Sequence, residues 1–140
     1  MQAWCPYLKG DIKNLEGVQR RATEMIEECK GLKYADRLTA TGLISLEDRR
    51  TRGDLIEVFK MIKGISSVDY RLWFTFEENS RTRGHKYKLV KNRSKCTIRQ
   101  NYFSQRIVNN WNKLPQSVVE ADSVNSFKNR YDKYISNKKK

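Results

Sequence analysis

Apolar residues return at three- and four-residue intervals in several stretches of this chain, and that spacing directs it towards a mainly helical fold. From Asp11 onward, Ile12, Leu15, Val18, Ala22, Met25, Ile26 and Cys29 fall on one helix face, with Asp11 placed to cap the start and Gly31 to end it. Tyr34, Leu38 and Ala35 supply the inward side of a shorter helix over 33–40, broken at Thr41-Gly42. The run Ser45-Leu46-Glu47-Asp48 sets a hydroxyl three residues before a carboxylate, the spacing of a capping box. It opens a long helix with Leu55, Ile56, Phe59 and Ile62 as its stripe and Gly64 as its stop. Gly53 inside that helix costs about 1 kcal/mol relative to Ala, so it is read as a point of close approach by another backbone. Phe103, Ile107, Trp111 and Leu114 follow at intervals of four, four and three, closed by Pro115. Asp122 or Ser123 then caps a last helix facing inward through Val124, Phe127, Tyr131 and Ile135.

Between these helices the pattern changes. Tyr70-Arg71-Leu72-Trp73-Phe74-Thr75-Phe76 is either a short strand or a buried hydrophobic turn, two outcomes that periodicity does not separate at this length. Lys86-Tyr87-Lys88-Leu89-Val90-Lys91 alternates basic with apolar residues, as a half-buried strand does. A hairpin of the two, with Arg81, Arg83 and Gly84 at its tip, would make the positive charges project together. The expected fold is mainly α with a small β-hairpin, an α+β domain of four to five helices. It forms a single domain over 1–140: an apolar opening segment (1–10), a helical part (11–64), a hairpin-like basic part (65–100), C-terminal helices (101–136) and a basic tail (137–140). With 38% hydrophobic residues and a mean hydropathy of −0.82, its core should be modest.

Charge is distributed very unevenly. Residues 1–80 hold 13 basic and 13 acidic side chains, whereas 81–140 hold 16 basic and 3 acidic, so the whole net charge of +13 lies in the second part. Arg81, Arg83, Lys86, Lys88, Lys91, Arg93, Lys95 and Arg99 stand in one run with His85 and without a single Asp or Glu. Such a field attracts polyanions and releases their counterions on contact, which makes RNA or DNA the first partner to consider; the plainer alternative is a solvated basic face. These nine residues, with a second cluster of Arg49, Arg50 and Arg52 on the long helix, are the candidate nucleic-acid contacts. Lys and Arg would meet phosphates, and an exposed Tyr87 or Tyr102 could stack on a base, although Tyr87 on an alternating strand suits a core position. His85 has no Ser, Cys or carboxylate at a catalytic spacing and reads as a local hydrogen-bonding residue rather than a base.

Other classes find little support. Cys5, Cys29 and Cys96 are odd in number and, with His85, lie 24, 56 and 11 residues apart, unlike the close ligand pairs of zinc sites. No metal and no cofactor is expected. No apolar run approaches the roughly 18 residues needed to span a bilayer, and the N-terminus lacks a signal-like apolar region. The basic residues share no helix with a bulky apolar face, which argues against membrane-surface binding. An intracellular chain without membrane or small-molecule partners is expected.

Six stretches, in order, carry a resemblance. They are Leu15-Glu16-x-Val18-Gln19-Arg20-Arg21-Ala22-Thr23; Tyr34 to Leu43; Leu46-Glu47-x-Arg49-Arg50-x-Arg52-Gly53-Asp54-Leu55-Ile56; Thr82-Arg83-Gly84-His85; Phe103-Ser104-Gln105-Arg106 through Trp111-Asn112-x-Leu114-Pro115; and Ser123-Val124-Asn125-Ser126-Phe127-Lys128. Together the chain resembles the region that follows the polymerase domain in LINE-type (non-LTR) retrotransposon reverse transcriptases of the jockey and chicken-repeat groups. The resemblance implies an upstream endonuclease and a polymerase whose Tyr-x-Asp-Asp hairpin holds two Mg²⁺ ions. Neither set of catalytic residues is present in this chain; Tyr34-Ala35-Asp36-Arg37 imitates the hairpin but ends in Arg. What is implied is a non-enzymatic accessory domain, a fragment or truncated copy, that binds RNA or DNA in the nucleus or nucleocytoplasm. The alternative is a structural scaffold packing on the parent polymerase domain or on a second copy.

Overall fold

The computed structural model describes residues 5–78 and 84–138. It is mainly helical and falls into two compact units, one through Arg52 and one from Gly53, the division lying inside a long helix.

The first unit contains α1 (Lys9–Glu24), a 3-10 turn (Glu27–Cys29), α2 (Tyr34–Ala40) and the first residues of α3 (Leu46–Ile62). Helix α1 starts from an extended Leu8 without a side-chain cap, and Asp11 sits in its first turn, where a carboxylate complements the helix dipole. The helix ends at Glu24 rather than Gly31, because Ile26 turns extended ahead of the 3-10 turn. The apolar face expected to continue through Met25 is therefore cut, and Met25 is 83% and Val18 57% exposed. The residue α1 does bury is Thr23, whose hydroxyl donates back to the Gln19 and Arg20 carbonyls at 3.0 Å each. Helix α2 likewise buries Arg37, leaves Tyr34 and Leu38 half-buried, and exposes Ala35 against expectation.

Two glycines end helices through left-handed backbone. Gly42 (φ 65°) follows α2, with the Leu43 N–H on the Leu38 carbonyl at 2.9 Å and the Gly42 N–H on Thr39 at 3.2 Å. Gly64 (φ 67°) repeats the pattern after α3: Ile65 to Lys60 at 2.9 Å and Gly64 to Met61 at 3.1 Å. Both are Schellman closures, a conformation at which a Cβ is costly. Ser45 Oγ accepts the Asp48 N–H at 3.1 Å, so the expected cap of α3 forms. Gly53 differs from its reading: among the described residues a Cβ placed there would have nothing within 4 Å.

The second unit has one core. Leu55, Val58 and Phe59 of α3 pack with Phe74, Leu89, Phe103, Ile107, Val108, Trp111, Val118, Val119 and Phe127. Phe59 stacks on Phe127 at 4.5 Å between centroids, and Trp111 lies against the same ring at 6.2 Å. Tyr70–Leu72 is a 3-10 turn, set by Asp69, whose carboxylate accepts the Arg71 N–H at 2.9 Å. Beyond this turn the chain pairs with the basic segment through a single antiparallel bridge, Phe76 to Leu89, flanked by Glu77 N–H to Lys88 O at 2.9 Å and Val90 N–H to Thr75 O at 2.8 Å. No strand forms among the described residues, and the expected tip residues Arg81 and Arg83 lie outside them. The alternation also fails locally: Lys88 is buried and Val90 exposed, because residues 86–87 form a turn instead of extended chain.

The helix expected to run from Phe103 to Leu114 is divided into α5 (Phe103–Arg106) and α6 (Val108–Asn112), preceded by α4 (Thr97–Gln100) and followed by α7 (Gln116–Val119) and α8 (Val124–Lys138). All four residues of its predicted stripe are nonetheless buried. Ser123, not Asp122, caps α8 by accepting the Ser126 N–H at 3.1 Å.

Candidate nucleic-acid interface

The basic segment is fastened to α6 by side chains of Trp111 and Asn112. The indole N–H of Trp111 donates to the Tyr87 carbonyl at 2.8 Å. The Asn112 carboxamide takes both backbone groups of Leu89, donating to its carbonyl at 2.8 Å and accepting its N–H at 2.9 Å. Asn112 thus does for the free edge of this residue what another strand would do. His85 completes the attachment: it is 2% exposed, its Nε2 is 3.0 Å from the Trp111 carbonyl, and its Nδ1 accepts the Tyr87 N–H at 3.2 Å. That pattern specifies the neutral ring with its proton on Nε2. Burial holds the His85 pKa below its ordinary value; the Trp111 carbonyl opposes this and the positive charge of Lys88 adds to it.

These contacts redistribute the candidate residues. His85 is a core residue, removed from any surface role. Lys88 is buried beside Gly84, whose φ of +138° is a backbone conformation that favours glycine; a Cβ there would stand 2.7 Å from Lys88 Cε, the far end of a flexible side chain. Lys86 is exposed but paired with Glu120 at 3.1 Å, and it lies over the Tyr87 ring at 5.2 Å. The pairing raises the Lys86 pKa and lowers that of Glu120. Arg81 and Arg83 lie outside the described residues.

Lys91, Arg93, Lys95 and Arg99 remain, all exposed and with no ion pair among the described residues. They sit in a stretch, 79–119, that contains no Asp or Glu at all. Lys91, Asn92, Arg93, Ser94, Gln100 and Gln105 line an open cleft of about 390 Å³. The Gln100 amide donates to the Ser94 carbonyl at 2.9 Å and shapes the loop that carries the cations.

The far side of this loop is tied to the core by a pair that sequence reasoning missed. Arg106 reaches Asp54 of α3 through Nε and through a terminal nitrogen, both at 2.9 Å, and its other terminal nitrogen donates to the Asn101 carbonyl at 3.2 Å. The available signal was Asp54 itself, a carboxylate beside the buried stripe of Leu55 and Val58, where an unpartnered charge would be costly.

The second cluster belongs to the first unit, where Arg49 is exposed and Arg50 and Arg52 are half-buried. That unit is organised by polar contacts around Tyr34. Its hydroxyl donates to Glu16 and accepts from the Gln19 amide at 3.2 Å, while the Arg20 guanidinium lies 4.6 Å from the ring centroid. Glu16 also accepts the Leu46 N–H at 3.0 Å, and Gln19 donates to the Ile44 carbonyl at 3.0 Å, so α1 holds the start of α3. Burial and the Glu16 carboxylate raise the Tyr34 pKa. Arg37 pairs with Glu24 at 3.8 Å.

Comparison of the chain with protein-family models, with curated proteins and with solved structures finds no match. Among the described residues no helix is long and apolar enough to cross a membrane.

Proposed function

We propose that this chain is a nucleic-acid-binding accessory domain related to the post-polymerase region of LINE-type reverse transcriptases, acting through Lys91, Arg93, Lys95 and Arg99. The observation that carries the reading is the exposure of these four cations, two of which, Lys91 and Arg93, line an open cleft, in a stretch without acidic residues. Phosphates bind such a surface with little sequence discrimination, because the contacts are made to the backbone of the polyanion.

The relationship to reverse transcriptases draws its support from how the motif residues are used. Glu16 and Gln19 bond to Tyr34, Asp54 to Arg106, and His85 to Trp111. Residues from separate motifs thus hold one another in place, as expected when a set of spaced motifs encodes a framework rather than a catalytic centre. The experiment is binding of labelled single-stranded RNA and duplex DNA by the wild type and by a variant with Lys91, Arg93, Lys95 and Arg99 all replaced by Gln. Retained helicity with affinity lost on every sequence supports the reading; unchanged affinity overturns it.

A scaffold role is the second reading, favoured by the exposed Val18 and Met25 beside a helix that buries little apolar surface of its own. It predicts association with the parent polymerase domain or with a second copy, measured by sedimentation, and no dependence on the four cations.

A further inference from the structure

We infer that Trp73 and Tyr102 form a stacking platform for unpaired bases, so that the surface takes single-stranded nucleic acid in preference to duplex; this rests on the nucleic-acid reading above. The two rings are parallel to within 10°, with centroids 6.2 Å apart. Both stay open to solvent, Trp73 at 38% and Tyr102 at 46%, although Trp73 also meets a buried aromatic cluster. Trp73 meets the buried Phe103 edge-on at 6.3 Å, and Phe103 meets the buried Phe74 in the same way at 5.8 Å. The backbone of Tyr102 is equally fixed: its carbonyl accepts the N–H groups of Gln105 and Arg106 at 2.9 Å each, and its N–H donates to the Arg99 carbonyl at 3.2 Å.

A parallel, partly exposed aromatic pair, one ring of which is held by a buried phenylalanine, offers π-faces at little ordering cost, which suits base stacking. In duplex the base faces are covered by one another and only base edges, sugars and phosphates are accessible, so the platform contributes to single strands alone. Charge selects the occupant. Arg99, exposed and without an ion pair among the described residues, precedes Tyr102 by three residues in a stretch, 79–119, that holds no acid; Arg71, two residues before Trp73, is exposed but shares its charge with Asp69 at 4.0 Å. Stacking without hydrogen-bonded base readout predicts tolerance of sequence.

The test uses Trp73→Leu and Tyr102→Leu, singly and together, which keep apolar bulk and remove the π-face; Trp73→Phe keeps the face and guards against loss of folding. Circular dichroism and thermal melting are read on each variant. Binding is measured to a labelled 12-nucleotide single-stranded RNA, to the matching DNA strand and to a duplex at one salt concentration. Each Leu variant should lose about 5- to 150-fold in single-strand affinity, the range of one base stacked on an aromatic, and keep its duplex affinity. Trp73→Phe should retain most of the single-strand binding. Equal losses on strand and duplex, or no loss, overturn the platform while leaving the cation reading in place. A wild-type chain that binds neither nucleic acid overturns both, and the exposed rings then belong to a protein contact.

Discussion

At the scale of single residues, His85 shows how a charge run can conceal a core position. Among eight basic neighbours it reads as a surface contact, yet both of its ring nitrogens are occupied and it is shut away from water. Nothing in the local alternation reveals this, because the partners that bury it, Trp111 and its carbonyl, lie 26 residues away. Its depressed pKa gives a pH dependence with a definite sign. The unfolded chain takes up a proton near the ordinary value of about 6.5 while the folded chain resists it, so stability is present above that pH and falls as pH drops below it. Denaturant midpoints between pH 7.5 and 5 should therefore decline, and His85→Gln should flatten that decline while lowering the midpoint at pH 7.5. An identical slope in the variant would assign the acid sensitivity elsewhere.

Among elements, the long helix α3 was legible nearly to its ends: the Ser45 cap, the inward stripe and the Gly64 stop all depend on residues within one turn of where they act. The end of α1 was not, since the apolar spacing runs on past Glu24 while the backbone turns at Ile26. The division between α5 and α6 was equally hidden, the apolar stripe being continuous across it. Beside the apolar core they share, α3 and α5 are joined by the Asp54–Arg106 pair, and its test is a double-mutant cycle. Arg106→Leu should cost about 3 to 5 kcal/mol, because it takes the paired cation from a buried carboxylate, and Asp54→Asn less, because Arg106 is only half-buried, whereas the double replacement should cost much less than the sum. Additive losses would mean the two residues act separately. Gly53, next to Asp54, provides the opposite case. With open space around its missing Cβ, Gly53→Ala should stabilise the chain by about 1 kcal/mol, read as a higher melting temperature. A lower one would restore the close approach that the spacing suggested.

Across the whole molecule, the imbalance of charge was visible in the sequence, but not which charges are available. Residues 81–99 present nine candidate contacts as a string, and folding sorts them: His85 and Lys88 are buried, Lys86 is paired with Glu120, and Lys91, Arg93, Lys95 and Arg99 face solvent. The sorting depends on Trp111, Asn112 and Glu120, which are distant in sequence, so no local pattern could have supplied it. Asn112 also explains why a single bridge suffices where a hairpin was expected, since its carboxamide satisfies both backbone groups of Leu89. The central claim, that these four exposed cations bind phosphates, is tested most directly by the salt dependence of single-strand affinity in the wild type and in the fourfold Gln variant. Four phosphate contacts predict a log–log slope of about −3 for the wild type and a slope near zero for the variant. Binding indifferent to salt, or the same slope in both proteins, would contradict it.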